Sequence, residues 1–171
     1  MSQLARLSWK VWVAQGFGVG RMPFAPGTFG TLLGLPWFLL LVSTGNFWTF
    51  LGGLLAGLAL SVWLCGEAET LLRRHDPPSV VLDEITALPI CFLPWVVRAW
   101  WPAGQMPNPA VFFSPKTWWM AAGLFALFRV FDILKPWPVK QSQGLAGGWG
   151  VTIDDVLAAV YVALLSLLVV P

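Results

Sequence analysis

Apolar residues fill this chain in long runs, and each run is interrupted by a short cluster of charge, glycine or proline. In residues 1–15, Leu4, Leu7, Trp9, Trp12 and Val13 recur at helical spacing among Arg6 and Lys10, which predicts an amphipathic helix, either lying on a membrane surface or packed on the protein with its polar face to solvent. Residues 16–31, GFGVGRMPFAPGTFGT, read as a loop or a broken segment because glycine and proline punctuate them. Thr31–Val42 is apolar but short. A membrane crossing needs about 20 helical residues, so this segment spans only if it begins near Thr28, and otherwise re-enters. Ser43–Asn46 reads as a turn, and Phe47–Cys65 as an uncharged transmembrane helix. A polar connection then carries Glu67, Glu69, Arg73, Arg74, His75 and Asp76, with Ser79 as a cap for the next helix. Val80–Trp101 is the next apolar segment, with kinks expected at Pro89 and Pro94. A proline-rich loop at 102–116, a span at Thr117–Leu134 and a last span at Val151–Val170 complete the pattern.

The pattern predicts an all-α, multi-pass membrane protein in one domain, residues 1–171, with about five membrane segments, the first short or re-entrant. Composition agrees: 57% of residues are apolar and only 11% charged, where soluble domains carry roughly 25%. The net charge of +2 is small and its basic residues are scattered, so nucleic acid is not an expected partner. Cys65 and Cys91 lie in apolar runs and read as small buried hydrophobes. Five crossings place Arg6, Lys10, Arg21, Arg73, Arg74, Lys135 and Lys140 on one side and Arg98 and Lys116 on the other, which puts the N-terminus in the cytoplasm. The acidic residues then make an independent statement. Glu67, Glu69, Asp76, Asp83, Glu84, Asp132, Asp154 and Asp155 all fall at or near that same side. A purely structural membrane protein has no reason to pool its carboxylates; an active site facing the cytoplasm does.

Four stretches carry candidate chemistry. Asp83-Glu84 and Asp154-Asp155 are acidic pairs at the starts of apolar segments, where charge is rare and usually functional. The bland account is that acids meet the positive end of a helix dipole. Together the pairs suit a hard cation such as Mg²⁺, which prefers oxygen ligands and is often shared between a few carboxylates and a substrate phosphate. Arg129, Asp132 and Lys135 recur every three residues on one helix face, either as a self-neutralising ladder or as Asp132 on metal with the basic residues on phosphate. Pro136-Trp137-Pro138 then directs Lys140. Pro26–Thr31 reads either as a tight membrane-entry turn or as a phosphate-cradling turn into a helix, with Thr28 as a hydroxyl contact, although the usual P-loop pattern is absent. His75, the only histidine, reads equally as a proton shuttle or a solvated loop residue. One histidine argues against phosphohistidine chemistry, and no Cys-x₅-Arg or Asp-x-Asp-x-Thr motif is present.

Taken together, GFGVGRMPFAPGTFGTL, HDPPSVVLDE, FRVFDILKPWPVK and GGWGVTIDDVLAA resemble, in order and separation, the bacterial phosphatidylglycerophosphatase A family. The resemblance covers nearly the whole chain. It implies a Mg²⁺-dependent lipid phosphatase of the bacterial cytoplasmic membrane, acting among membrane lipids on phosphatidylglycerophosphate to give phosphatidylglycerol. Asp83, Glu84, Asp132, Asp154 and Asp155 are then expected as catalytic metal ligands, and Thr28, Arg129, Lys135 and Lys140 as phosphate contacts. The rival reading is a transporter or cation channel, since intramembrane acids and broken helices also mark ion paths.

Overall fold

The computed structural model describes residues 8–169. Residues 1–7 of the expected surface helix and Val170 of the last span lie outside the described residues. All the described secondary structure is helical. A short helix α1 (Trp9–Ala14) leads through a 3₁₀ stretch at Gly16–Arg21 into α2 (Pro26–Val42). Then come α3 (Phe47–Leu72), α4 (Leu82–Ala103), a second 3₁₀ turn at Pro109–Phe113, α5 (Trp118–Leu134), the single-turn α6 (Val139–Ser142) and α7 (Gly148–Ser166). Of these, α3 and α7 are both long enough and apolar enough to cross a membrane, while α2 is apolar but 17 residues long.

Several boundaries depart from the sequence reading, each for a local reason. Helix α3 starts as expected: the Asn46 carboxamide oxygen accepts from the backbone N–H of Trp48 and Thr49 at 2.9 and 3.0 Å, satisfying donors that a helix start otherwise leaves open. It does not stop at Cys65. Cys65, Ala68 and Leu72 continue the helical spacing and pack with Val11 and Ala14 of α1, so Glu67 and Glu69 ride on the helix instead of in a loop. The helix ends at Arg73, whose φ of 53° is left-handed. Ser79 does not cap α4; Val81 precedes the helix, and the Ser79 hydroxyl accepts from Gln15 Nε2 at 2.9 Å. Helix α4 runs on through Pro89 and Pro94, which membrane helices tolerate when neighbours re-satisfy the freed carbonyls.

The largest correction concerns α7. It begins at Gly148, three residues earlier than the sequence reading, so Asp154-Asp155 sits in the second turn and its first turn holds no acid. The dipole explanation therefore fails for that pair, while it stays available for Asp83-Glu84 in the first turn of α4. Gly148 can start the helix there because α7 abuts α3 backbone to backbone. A Cβ on Gly148 would stand 1.8 Å from the Val62 carbonyl oxygen and 2.7 Å from the Gly66 nitrogen.

Helix α4 is central, packed against α2, α3, α5 and α7. Its Phe92 stacks on Phe38 of α2 at 4.3 Å, and Phe112 meets Phe38 and Trp95 edge-on at 4.9 and 4.8 Å. The outside is apolar too. Leu40, Trp48, Leu55, Trp63, Leu164 and Leu168 are exposed large hydrophobes on the bundle's flanks. An apolar exterior this extensive suits lipid rather than water.

Candidate active site

At one end of the bundle the N-terminal turns of α2 and α4, the C-terminal turn of α5, the second turn of α7 and the 73–81 connection enclose a cavity of about 430 Å³. Asp83, Glu84, Asp132, Asp154 and Asp155 all line it, as do Thr28, Arg129 and Lys135. The structure thus brings together eight of the nine expected site residues, contributed by four helices. Lys140 is the ninth. It is exposed on α6 and lies outside the lining.

The charged walls are organised by Arg129 and Lys135. Arg129 Nη1 stands 3.0 Å from Glu84 Oε1, 2.8 Å from Asp132 Oδ2 and donates to the Thr31 hydroxyl at 3.1 Å. That hydroxyl lies 3.0 Å from the Gly27 carbonyl and 3.3 Å from Glu84 Oε2. Glu84 can reach this position only because two residues of α2 lack side chains. A Cβ on Gly27 would fall 2.3 Å from Glu84 Oε1, and one on Gly30 2.8 Å from Glu84 Oε2. The glycines of PGTFGT therefore seat the Glu84–Arg129 pair, while Ala25, Pro26, Gly27 and Thr28 present the start of α2 to the cavity.

Lys135 caps the end of α5 in a left-handed conformation, φ 44°. Its ammonium pairs with Asp154 Oδ2 and stands 3.8 Å from Asp132 Oδ1. Burial works against its charge, but the Asp154 hydrogen bond and the charges of Asp154, Asp132 and Asp155 outweigh that and hold its pKa above the ordinary lysine value. Lys135 is therefore cationic throughout the neutral range.

The sequence reading missed two polar contributors. Thr31 is fully buried and ties α2 to both Glu84 and Arg129. Gln143, beyond α6, donates from Nε2 to Asp154 Oδ2 at 3.0 Å and to Asp76 Oδ2 at 3.2 Å, joining the 73–81 connection to α7. Asp76 itself lines the cavity. His75 does not; it is 63% exposed and pairs with Glu69 at 2.7 Å, which also accepts the Asp76 N–H at 2.8 Å. It is thus a solvated loop residue at the rim. A lone glutamine in a polar link carries no motif, so only the fold reveals Gln143.

Asp83 and Asp155 stand apart from the rest. Asp155 is 2% exposed, and among the described residues its carboxylate forms no hydrogen bond or ion pair. Asp83 is 6% exposed and accepts only the N–H of the adjacent Glu84, at 3.0 Å. Buried carboxylates without a compensating group are costly. The cavity as a whole sets six carboxylates, counting Asp76, against Arg129 and Lys135. Such a donor set, all oxygen and strongly anionic, fits a hard divalent cation.

Known proteins resemble the chain over most of its length. The family described as Phosphatidylglycerophosphatase A matches residues 12–170. Phosphatidylglycerophosphatase A of Escherichia coli K12 is 31% identical over 150 residues, 86% of this chain and 76% of its own. The protein of that name from Haemophilus influenzae is 35% identical over 150 residues, 87% of this chain and 81% of its own. A Bacteroides thetaiotaomicron protein, named provisionally as a phosphatidylinositol-3-phosphatase, is 36% identical over 155 residues, 88% of this chain and 87% of its own. No solved structure matches the chain.

Proposed function

The chain belongs to the phosphatidylglycerophosphatase A family, and from that premise we propose how its acidic cavity works as a lipid phosphatase. The reaction is hydrolysis of the terminal phosphate monoester of phosphatidylglycerophosphate. Water oxygen bonds to phosphorus, the ester P–O bond breaks, and the released glycerol oxygen takes a proton to give phosphatidylglycerol and inorganic phosphate. The observation that carries this reading is the placement of Asp83, Glu84, Asp132, Asp154 and Asp155 around one cavity that also holds Arg129 and Lys135. These acids gather at one end of the bundle instead of along a path through it, which favours an enzyme over an ion channel.

The substrate keeps its acyl chains in the bilayer, so the cavity has to open at membrane-surface depth. The exposed apolar flanks of the bundle support that depth. Five crossings by α2, α3, α4, α5 and α7 would set the cavity at the cytoplasmic face of the inner membrane, the side that the basic residues favour.

Mg²⁺ is the cofactor that this donor set suits. Asp83, Glu84, Asp132, Asp154 and Asp155 are its candidate holders, directly or through water. Among the described residues no three acidic, histidine or cysteine side chains already stand as a ligand group, so substrate phosphate and water would complete the shell. A bound ion supplies polarisation of a phosphoryl oxygen and a more acidic water. The chain's own groups do the rest. Arg129 and Lys135 hold positive charge at the cavity wall, where charge develops on the transferred phosphoryl oxygens. Thr28 and the open N–H groups at the start of α2 offer donors to a phosphate oxygen. Lys135 bridges Asp132 and Asp154, keeping α5 and α7 in register across the cavity.

The test is phosphate release from phosphatidylglycerophosphate in mixed micelles by the purified protein, with and without Mg²⁺. Phosphatidylinositol 3-phosphate runs in parallel because one relative's name points to it. Metal-dependent release from phosphatidylglycerophosphate is expected; no release from folded protein in the presence of Mg²⁺ would overturn the reading.

A further inference from the structure

The carboxylates of the cavity are not equivalent. Asp154 has both oxygens committed: Oδ1 accepts the Asp155 N–H at 3.1 Å, while Oδ2 accepts from Lys135 and, at 3.0 Å, from Gln143. Glu84 is held by Arg129 on one oxygen and by Thr31 on the other. Asp132 is held by Arg129 on Oδ2 and faces Lys135 on Oδ1. These three acids and two bases form one continuous chain, Glu84–Arg129–Asp132–Lys135–Asp154, which runs from α4 across α5 to α7 and neutralises much of itself. Asp83 and Asp155 are the members left out. Both are buried against the cavity, one on α4 and one on α7. Among the described residues the Asp155 carboxylate has no partner, and Asp83 has one N–H from its own helix.

We propose that Asp83 and Asp155 are the direct carboxylate ligands of the divalent cation, and that Asp154 is a positioning residue whose place is fixed by Lys135 and Gln143. The proposal rests on the phosphatase reading of the cavity and refines it. The physical ground is lone-pair accounting. Asp154 Oδ2 already accepts two hydrogen bonds and must shed one to bind an ion, and Oδ1 already accepts one, whereas Asp155 sheds nothing and Asp83 keeps an entirely free oxygen. A cation also removes the cost of burying two acids that no protein group compensates. Gln143 takes on a role here that its sequence context does not hint at. By holding Asp76 and Asp154 together, it keeps Asp154 turned toward Lys135.

The experiment uses the full chain in detergent micelles, with Mn²⁺ as a paramagnetic stand-in for Mg²⁺ and free Mn²⁺ read by electron paramagnetic resonance. Asp83→Asn and Asp155→Asn are each expected to weaken Mn²⁺ binding by about 100-fold or more, since a ligand is lost. Asp154→Asn should weaken it by about 10-fold, the low end of an outer-shell change, while kcat falls. Cysteine variants give a second readout that a merely structural role would not move. Asp83→Cys and Asp155→Cys should shift ion preference from Mn²⁺ toward thiophilic Cd²⁺, and Asp154→Cys should not, against a background in which Cys65 and Cys91 are buried. Equal loss of Mn²⁺ in Asp154→Asn and Asp155→Asn, or a Cd²⁺ shift in Asp154→Cys, would overturn the division while leaving the metal reading intact. Wild-type protein that binds no Mn²⁺ would overturn both.

Discussion

Replacing Gly148 by alanine tests whether catalysis depends on the backbone contact between α3 and α7. The added Cβ would stand 1.8 Å from the Val62 carbonyl oxygen and 2.7 Å from the Gly66 nitrogen, where ordinary contact begins at 3.4 Å. Neither obstacle is the tip of a flexible side chain, so α7 has to move away from α3 by more than an ångström at its first turn. Overpacking of this kind costs about 1–3 kcal/mol. The functional cost is expected to be larger in proportion. Asp154 and Asp155 follow in the second turn and would move with the helix, changing their placement relative to Asp83 and Glu84 on α4. A misplacement of about 1 Å can cost on the order of 100-fold in rate. The assay is phosphate release, paired with denaturant unfolding in micelles. Gly52→Ala and Gly123→Ala are the controls, since a Cβ there meets nothing within 4 Å. Both should keep activity and gain about 0.5–1 kcal/mol of helix stability. A Gly148→Ala protein with wild-type turnover would refute the reasoning, because it would show that the spacing of α3 and α7 does not set the geometry of the acids.

Other outcomes follow from the walls of the cavity. Thr31→Val removes a fully buried hydroxyl shared by Gly27, Glu84 and Arg129, and should cost about 1–3 kcal/mol in micelle unfolding, with Thr31→Ser recovering most of it. Arg129→Met leaves Glu84 and Asp132 without their shared partner and should destabilise by about 3–5 kcal/mol. Adding Glu84→Gln to it should restore part of that loss, and strict additivity in the double-mutant cycle would argue against the pairing. Lys140→Ala is expected to leave phosphate release at the wild-type rate, because Lys140 lies outside the cavity; a large fall in kcat would return it to the site.

The parts of this protein that the sequence made legible are those where the chemistry is expensive. Acids in apolar surroundings have to be explained, so Asp83, Glu84, Asp132, Asp154 and Asp155 stood out before any coordinates, and the structure places all five around one cavity. Helix boundaries were less legible where tertiary contact overrides local preference. Glycine is a poor helix former, so GGWG reads as a link, yet Gly148 and Gly150 belong to α7 and permit its close approach to the α3 backbone and to the Leu145 and Gln143 carbonyls. The last turns of α3 carry charge and were read as loop, because their packing partner is α1, far away in sequence. Lys140 is close to Lys135 along the chain, yet it stands exposed outside the cavity lining, because nearness in sequence says nothing about the direction of a side chain after Pro136–Pro138.

One electrostatic question ties the site together. On the proposed function, the substrate brings a phosphate into a cavity that already holds six carboxylates and two basic side chains. Both bases are already engaged by acids: Arg129 by Glu84 and Asp132, Lys135 by Asp154 and Asp132. The N-terminal turns of α2 and α4 line the cavity and contribute partial positive charge, about half a unit each, but the C-terminal turn of α5 lines it too and contributes the opposite sign. Backbone dipoles therefore leave most of the negative excess in place. A dianionic phosphate would be repelled unless further positive charge entered with it or ahead of it. The protein's own charge distribution thus argues for a cation-dependent site more strongly than any single acidic pair does, and it assigns the basic residues a share of the work that is smaller than their number in the motif suggests. They set the acids in place, and on the proposed function would meet the phosphate only from the wall.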